Sequence, residues 1–492
     1  MNDVADSSRR ALHWFRNDLR LGDNPALTRA ASARECVTVF VLEENTCHRP
    51  RGGASGWWLH YSLAALEADL QAKGAKLLLL RGDARKLIPA LSATLGCDLV
   101  TWNRRYGAAE RETDGAIEQE LAARSIRAES FNGALLYEPV EIRSKAGGPM
   151  RVFTPFWKAC RALREPALPL PAPKLPPPIK KTPSEAVLLA ALDLLPSKPD
   201  WAGGLRTCWT PGEHGARARL DAFLERGLDG YAESRDRPDI PSTSRLSPHL
   251  AAGDISPRQI WHGARRSRAD ARSRASERDL DKFLAELGWR EFSYHLLFHF
   301  PDLPRANFQS KFDAFPWRAD AQALQAWQHG RTGYPFVDAG MRELWRTGYM
   351  HNRVRMVAAS FLVKHLMQDW RAGESWFWDT LCDADPASNA ASWQWVAGSG
   401  ADAAPFFRIF NPIGQGQKFD PAGDYIRRFV PEIARLPDEY IHCPWEAPPA
   451  VRAKAGVRLG ETYPVPIVPH DAARDRALAA FRAISAKGND VD

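Results

Sequence analysis

The sequence predicts a two-part fold: a parallel, Rossmann-like α/β domain followed by a large all-α domain. Three observations predict it. Short apolar runs alternate with helical periodicity up to about residue 140. A proline-rich stretch then covers residues 165–200. From about residue 211 onward helical signals dominate and strand signals are few. The 492 residues suit roughly two to three domains.

Leu12-His13-Trp14-Phe15, Val37 to Leu42, Lys76 to Leu80 and Leu99 to Trp102 read as short buried strands. Trp57 to Lys73 and Ala109 to Arg124 have helical periodicity between them. This alternation places an α/β unit at residues 9–140. After the first strand comes Arg16-Asn17-Asp18-Leu19-Arg20, not a glycine fingerprint, so no NAD site is expected there. Residues 141–210 read as an interdomain linker. Within them Pro166, Pro169, Pro171, Pro173 and Pro176-Pro177-Pro178 favour extended chain. Residues 211–480 form the helical domain. Ser247-Pro248 and Ser256-Pro257 mark helix starts, with Ser as the cap and Pro first inside the helix. There is no internal repeat.

Composition bounds the chemistry. Hydrophobic residues are 45% and charged residues 25%, ordinary for a globular chain with a sizeable core. The net charge of +7 permits a polyanionic partner without demanding one. The 18 tryptophans are many, and each indole N–H wants a partner. The seven cysteines, at 36, 47, 97, 160, 208, 382 and 443, have no zinc or iron–sulfur spacing. Free thiols in a reducing cytoplasm are the simple reading. Met1 to Arg10 has no apolar segment of signal-peptide type, and no run of 18 apolar residues predicts a membrane span.

The stretch from Gly348 to Asn411 is the richest in chemistry. It holds Asn352, Arg355, Met356, Asp383, Asp385, Asn389, Trp393 and Trp395. On a helix Asn352 shares a face with Arg355 and Met356, and Asn389 with Trp393. The small residues from Ala387 to Ser392 would let a flat ligand approach the backbone. Such a lining suits a large aromatic cofactor. Asp383 and Asp385 read either as a metal pair, though no histidine is near in sequence, or as partners of an arginine such as Arg355. Thr243-Ser244-Arg245-Leu246-Ser247 precedes a helix start, where hydroxyls and free N–H groups can hold an anion. Alone, such a segment is usually just a cap. Glu286, Trp289 and Arg290 share one helix face, and alone would read as an amphipathic helix with an internal ion pair. Spacing does not distinguish Trp317, Trp370 and Trp393 from core.

Together these motifs resemble the photolyase/cryptochrome family, and DNA photolyases of bacterial type most. The resemblance runs from Trp14 to Arg20 and through Trp102-Asn103-Arg104-Arg105-Tyr106, Thr243 to Pro248, and Trp289-Arg290-Glu291-Phe292. Gly333-Tyr334-Pro335, Met350-His351-Asn352-Arg353, Trp393-Gln394-Trp395 and Arg408-Ile409-Phe410-Asn411-Pro412 complete it.

The resemblance implies FAD, folded in a U within the helical domain. Thr243, Ser244, Arg245, Leu246 and Ser247 would hold its phosphates, with Tyr231 nearby. Phe283 stands where the family often has Trp. Glu286, Arg290, Asn352 and Arg355 would line the cofactor, and Asp383 and Asp385 would flank the ring and ribose, with Arg355 paired to Asp383. Asn389 matches the position facing flavin N5, where Asn accompanies repair enzymes, Asp plant cryptochromes and often Cys animal cryptochromes. Asn352 and Met356 stand where six-four photolyases carry two histidines, so the implied substrate is the cyclobutane pyrimidine dimer. Excited reduced FAD would donate an electron to a dimer flipped out of the duplex.

By the same resemblance Glu286 would hydrogen-bond the dimer, Trp289 and Trp395 would pack on it, and Met356 would pad the pocket. Arg235, Arg353, Arg408 and Lys418, with Gln415 beside them, are candidates for the phosphates of UV-damaged DNA. Trp393, Trp370 and Trp317 match the photoreduction chain. The N-terminal domain would hold an antenna, methenyltetrahydrofolate or a deazaflavin, near Trp57-Trp58 or Trp102 to Tyr106. The family expectation is a cytoplasmic monomer with no metal. The alternative is a cryptochrome-like blue-light receptor. Asn389, Glu286, Met356 and Trp395 weigh against it, as does the short end from Asp471 to Asp492. A flavoprotein without photochemistry would leave the repair pocket unexplained.

Overall fold

A computed structural model describes residues 9–44, 49–181, 183–271, 273–402 and 407–488. Most of the polar N-terminus, Cys47 and the last four residues lie outside the described residues. Five strands form one sheet: β1 (Arg10–Phe15), β2 (Glu35–Glu43), β3 (Leu77–Gly82), β4 (Leu99–Asn103) and β5 (Arg127–Phe131). Their order is β3-β2-β1-β4-β5 and every pairing is parallel. Four helices accompany them: α1 (Pro25–Ala30), α2 (Gly53–Ala72), α3 (Ala84–Leu95) and α4 (Ala108–Ala123).

Alternation along the strands feeds two cores. Leu12, Trp14, Val39 and Leu78 face Ile88 and Leu91 of α3. Phe15, Phe40 and Leu79 face Leu59, Leu63 and Leu66 of α2. Burial on both faces explains why these strands read as continuous apolar runs. The strand β5 escaped the sequence reading because Arg127–Phe131 is an edge strand, exposed or half-buried throughout, with no apolar run to betray it.

The stretch expected to be linker is only partly one. The helix α5 (Phe153–Leu163) inserts Phe156, Trp157 and Cys160 into the core of the helical domain. Beyond it the proline-rich chain is extended as expected. Val187 donates to the Leu79 carbonyl (2.9 Å), so this segment covers the open edge of β3.

Ser256 caps the helix Pro257–Ala269 through a reciprocal capping box with Gln259, as the Ser-Pro pair predicts. Ser247 departs from that expectation. The cap residue is Leu246, and Ser247 is already the first residue of the short helix Ser247–Ala252. Its hydroxyl turns instead to Asp383 (2.5 Å).

The two domains dock through buried polar contacts. Glu213 accepts from the Leu21 N–H (2.7 Å), Arg20 donates to the Gly253 carbonyl (2.9 Å), and Trp58 donates to Asp254 (3.0 Å). Gly253 has φ +78°, and a Cβ there would meet the Asn17 carbonyl at 2.1 Å, so only glycine allows the approach. The sheet order reverses between β1 and β4, the point at which open α/β sheets bind ligands. Arg16 and Asn17 follow β1 there, and a cavity between the domains is lined by both, with Arg51, Trp58, Ala251 and Cys382. Six cysteines are described and all are free thiols. No described helix is long and apolar enough to cross a membrane.

Candidate functional site

Four segments converge in the helical domain: the turn before Ser247, and the helices Glu277–His299, Asn352–Ser360 and Pro386–Ala397. Ser276 and Asp279 start the first with a capping box, and His351 caps the second by accepting from the Arg353 N–H (3.2 Å). Burial lowers the His351 pKa to about 4, which keeps that ring nitrogen free to accept. Asp385 caps the third, its Oδ1 accepting from Ala387 (3.0 Å) and Ser388 (2.7 Å).

Of the two open readings of the aspartates, the structure adopts the arginine partner. Arg355 grips Asp383 with both terminal nitrogens (3.1 and 2.8 Å) while its Nε donates to the Met350 carbonyl (2.7 Å). Burial opposes that charge, but the Asp383 carboxylate outweighs it and holds the guanidinium above its ordinary pKa. Among the described residues no group of three or more His, Cys, Asp or Glu could hold a metal.

Asp385 uses its second oxygen to accept from the Tyr294 hydroxyl (2.6 Å). Burial and then Asp385 push that hydroxyl well above the ordinary tyrosine pKa, so it stays a donor. Arg290 lies 4.8 Å over the Tyr294 ring and donates to the Ala134 carbonyl (2.7 Å). Asn389 is buried, and its Nδ2 donates to the Glu374 carboxylate (2.7 Å) and carbonyl (3.0 Å). A carboxylate accepts only, so this contact fixes which end of the amide faces it. The Oδ1 is thereby turned away from Glu374.

Arg245 adopts φ +52°, an uncommon conformation for a non-glycine residue and one that often marks function. Its guanidinium lies 4.5 Å over Trp209 and 4.8 Å over Tyr349, and its buried Nε has no partner. An orphaned cationic donor, half-buried Thr243 and Ser244, and two acceptor carboxylates make a donor set that fits phosphates and a polar ring system. The Leu246 side chain is in the core, so its backbone is the part that can face a ligand. Likewise Ala387 and Ala390 are wholly buried against other core residues and serve helix packing, not ligand approach.

Glu286 stands 30% exposed at the side-chain level and is paired with Arg235, which is itself 10% exposed. Tyr231 packs edge-on to Phe283 (5.5 Å), with Arg235 over its ring. Asp236 holds Arg353 (2.6 Å) and flanks Arg235 (3.8 Å). Arg235 and Arg353 are therefore committed to carboxylates, contrary to their expected role as open phosphate contacts. Arg408 and Lys418 are exposed and fit that role. Gln415 is half-buried, with an Oε1 that has no partner. Trp289 stacks on Phe153 at 3.7 Å, and Trp395 and Met356 pack beside the core. Asn352 is exposed, 4.0 Å from the Met356 sulfur.

Trp393 and Trp370 are buried, and Trp317 is part-exposed. A Cβ at Gly373 would meet the Trp393 ring at 2.1 Å, so Trp393, on the helix Pro386–Ala397, packs closely against the helix Trp370–Thr380. Trp57 is buried away from the interdomain cavity, whereas Trp58 lines it.

Sequence reasoning missed Tyr294, Asp236 and Glu374. Tyr294 carried a signal, being four residues beyond Arg290 on the Glu286 face. Glu374 carried none, because its partner is fifteen residues away on another helix.

One buried charge bears on the exposed side of the site. Lys364 lies in a π turn, Phe361–His365, and donates to the Arg408 carbonyl (2.6 Å) under the Phe407 ring. Burial and then the Arg408 charge lower its pKa from 10.5 to about 7. Between these values the unfolded chain holds a proton that the folded protein has lost, so stability rises with pH across that window. Urea unfolding of the wild type should show this rise, and Lys364→Met should remove it.

Comparison with known proteins follows the same division. Residues 11–176 match the family described as DNA photolyase, and residues 283–483 match the FAD binding domain of DNA photolyase. The chain is 54% identical to the deoxyribodipyrimidine photo-lyase of Agrobacterium fabrum, covering 96% of this chain and 97% of that one. It is 40% identical to cryptochrome-2 of Arabidopsis thaliana, covering 96% of this chain and 79% of the plant protein. The crystal structure of a bacterial class III photolyase from Agrobacterium tumefaciens superposes with TM-score 0.93 at 52% identity, over 98% of this chain and all of the other.

Proposed function

This chain belongs to the photolyase/cryptochrome family, and from that premise we propose that it is a deoxyribodipyrimidine photo-lyase. It repairs cyclobutane pyrimidine dimers in DNA. The observation that carries the repair reading is the Asn389 amide, buried and pinned by Glu374 so that its oxygen is left for the cofactor.

Bound in the helical domain, FAD would supply light-driven electron transfer to the dimer. The protein binds, orients and excludes water. Arg245 with Thr243 and Ser244 would take the phosphates, and the Arg355–Asp383 pair and Asp385 would frame the ring and ribose. Glu286 would accept a hydrogen bond from the dimer, with Arg235 holding that carboxylate in place. Trp289 and Trp395 offer aromatic faces to the flipped-out bases, and Arg408 and Lys418 offer charge to the backbone.

The crevice at the β1/β4 switch point is our candidate antenna site. Arg51 there is the cation left for an antenna, either methenyltetrahydrofolate or a deazaflavin, because Arg16 is held by Asp114 (2.5 Å). The partner is UV-damaged DNA, and free thiols support action in the cytoplasm, where we place the protein as a monomer.

Trp393→Phe should stop photoreduction of oxidised FAD while repair by chemically reduced protein persists; flavin absorbance under blue light reads the first and dimer loss the second. The functional test is repair of a thymine-dimer oligonucleotide by reduced protein in near-UV or blue light against darkness. Light-dependent recovery of intact thymines is expected. FAD binding without repair would instead assign a light receptor.

A further inference from the structure

The α/β domain reaches into the flavin site through one side chain. Arg49 lies on the approach to α2. Its Nη1 donates to Glu374 Oε1 (2.7 Å), the same oxygen that accepts from the Asn389 amide (2.7 Å). Glu374 is 6% exposed, so Arg49 is the cation that offsets a buried charge. The arginine is itself fixed, 4.3 Å over the Trp378 ring one turn along the same helix as Glu374. Trp378 in turn donates to the Pro50 carbonyl (2.8 Å), and the Gly53 N–H donates to Asp379 (2.8 Å). At Gly52 a Cβ would meet the Trp378 carbonyl at 2.1 Å, so the approach requires glycine. The segment from Arg49 to Gly53 is thus seated on the Trp370–Thr380 helix at several points.

We propose that Arg49 is a positioning residue for the flavin: through Glu374 it orients the Asn389 carboxamide and cancels the negative charge behind it. The inference rests on the reading that the flavin ring lies against Asn389. Reduced flavin carries one more negative charge than oxidised flavin at neutral pH. A bare carboxylate behind Asn389 disfavours the reduced form, and an unopposed guanidinium favours it.

The test is the potential of bound FAD in the full-length protein. Arg49→Met should weaken binding of reduced relative to oxidised FAD by about tenfold, a fall of about 30 mV in the two-electron potential. Glu374→Gln, which leaves Arg49 unopposed, should move it the other way. The double variant should return towards wild type, and Arg49→Lys should stay close to it. A general loosening of the interface would shift both single variants in one direction and would overturn the proposal. An unchanged potential in Arg49→Met, with Asn389→Ala shifted, sinks the Arg49 role alone. If Asn389→Ala also leaves the potential unchanged, the flavin is not against Asn389 and the reading of the site fails with it. Should Arg49→Met not fold, Glu374→Gln, expected to raise the potential, and Arg49→Lys, expected to leave it near wild type, decide the question; a lowered potential in Glu374→Gln overturns the proposal.

Discussion

Arg355→Met should yield protein that purifies without flavin and unfolds at a lower denaturant concentration. The substitution keeps the aliphatic stem and removes the cation. Asp383, 4% exposed at the side-chain level, then keeps only the Ser247 hydroxyl. Breaking a buried pair by removing one partner costs about 3–5 kcal/mol, because the other charge stays buried and uncompensated. The Met350 carbonyl also loses its donor. Two readouts separate the effects: the ratio of bound FAD to protein, and the urea midpoint of the flavin-free protein. The double variant with Asp383→Asn should regain stability without regaining flavin. Stoichiometric FAD in Arg355→Met would remove this pair from the cofactor site.

Glu286→Ala should keep its flavin and lose repair. Glu286 is the partly exposed carboxylate of the central helix face, and Arg235 is its counter-ion. A hydrogen bond to a charged group is worth about 1.5–3 kcal/mol, about tenfold or more in affinity for the dimer, and its loss should also lower repair per photon absorbed. The loss should be seen with chemically reduced protein on a thymine-dimer oligonucleotide, so that photoreduction plays no part. Loss of FAD in this variant would show that Glu286 props the cofactor and not the lesion.

Local signals carried much of the fold. Four of the five strands were visible as apolar runs because both sheet faces are covered. Ser256-Pro257 marked its helix correctly because cap and first-turn chemistry act within a few residues. Where a nonlocal partner competed, the local reading failed. Ser247 looks like a cap, yet its hydroxyl serves Asp383, 136 residues away. Ala387 and Ala390 look like room for a ligand, yet a neighbouring helix fills it. Phe153–Leu163 sits in a stretch expected to be linker, yet its apolar face completes the core.

The sequence by itself determined the two-domain plan, the family, and the residue types assembled in the candidate site, because these rest on periodicity and on motifs read in order. Which charges remain open was decided only by tertiary structure. Arg235 and Arg353 were indistinguishable from Arg408 in sequence, but Glu286 and Asp236 claim the first two and leave Arg408 exposed. The same holds for Arg49 and Glu374, 325 residues apart, and for Tyr294 and Asp385, 91 apart. An ion pair or hydrogen bond depends on distance in space, and for residues this far apart only the packed fold sets that distance.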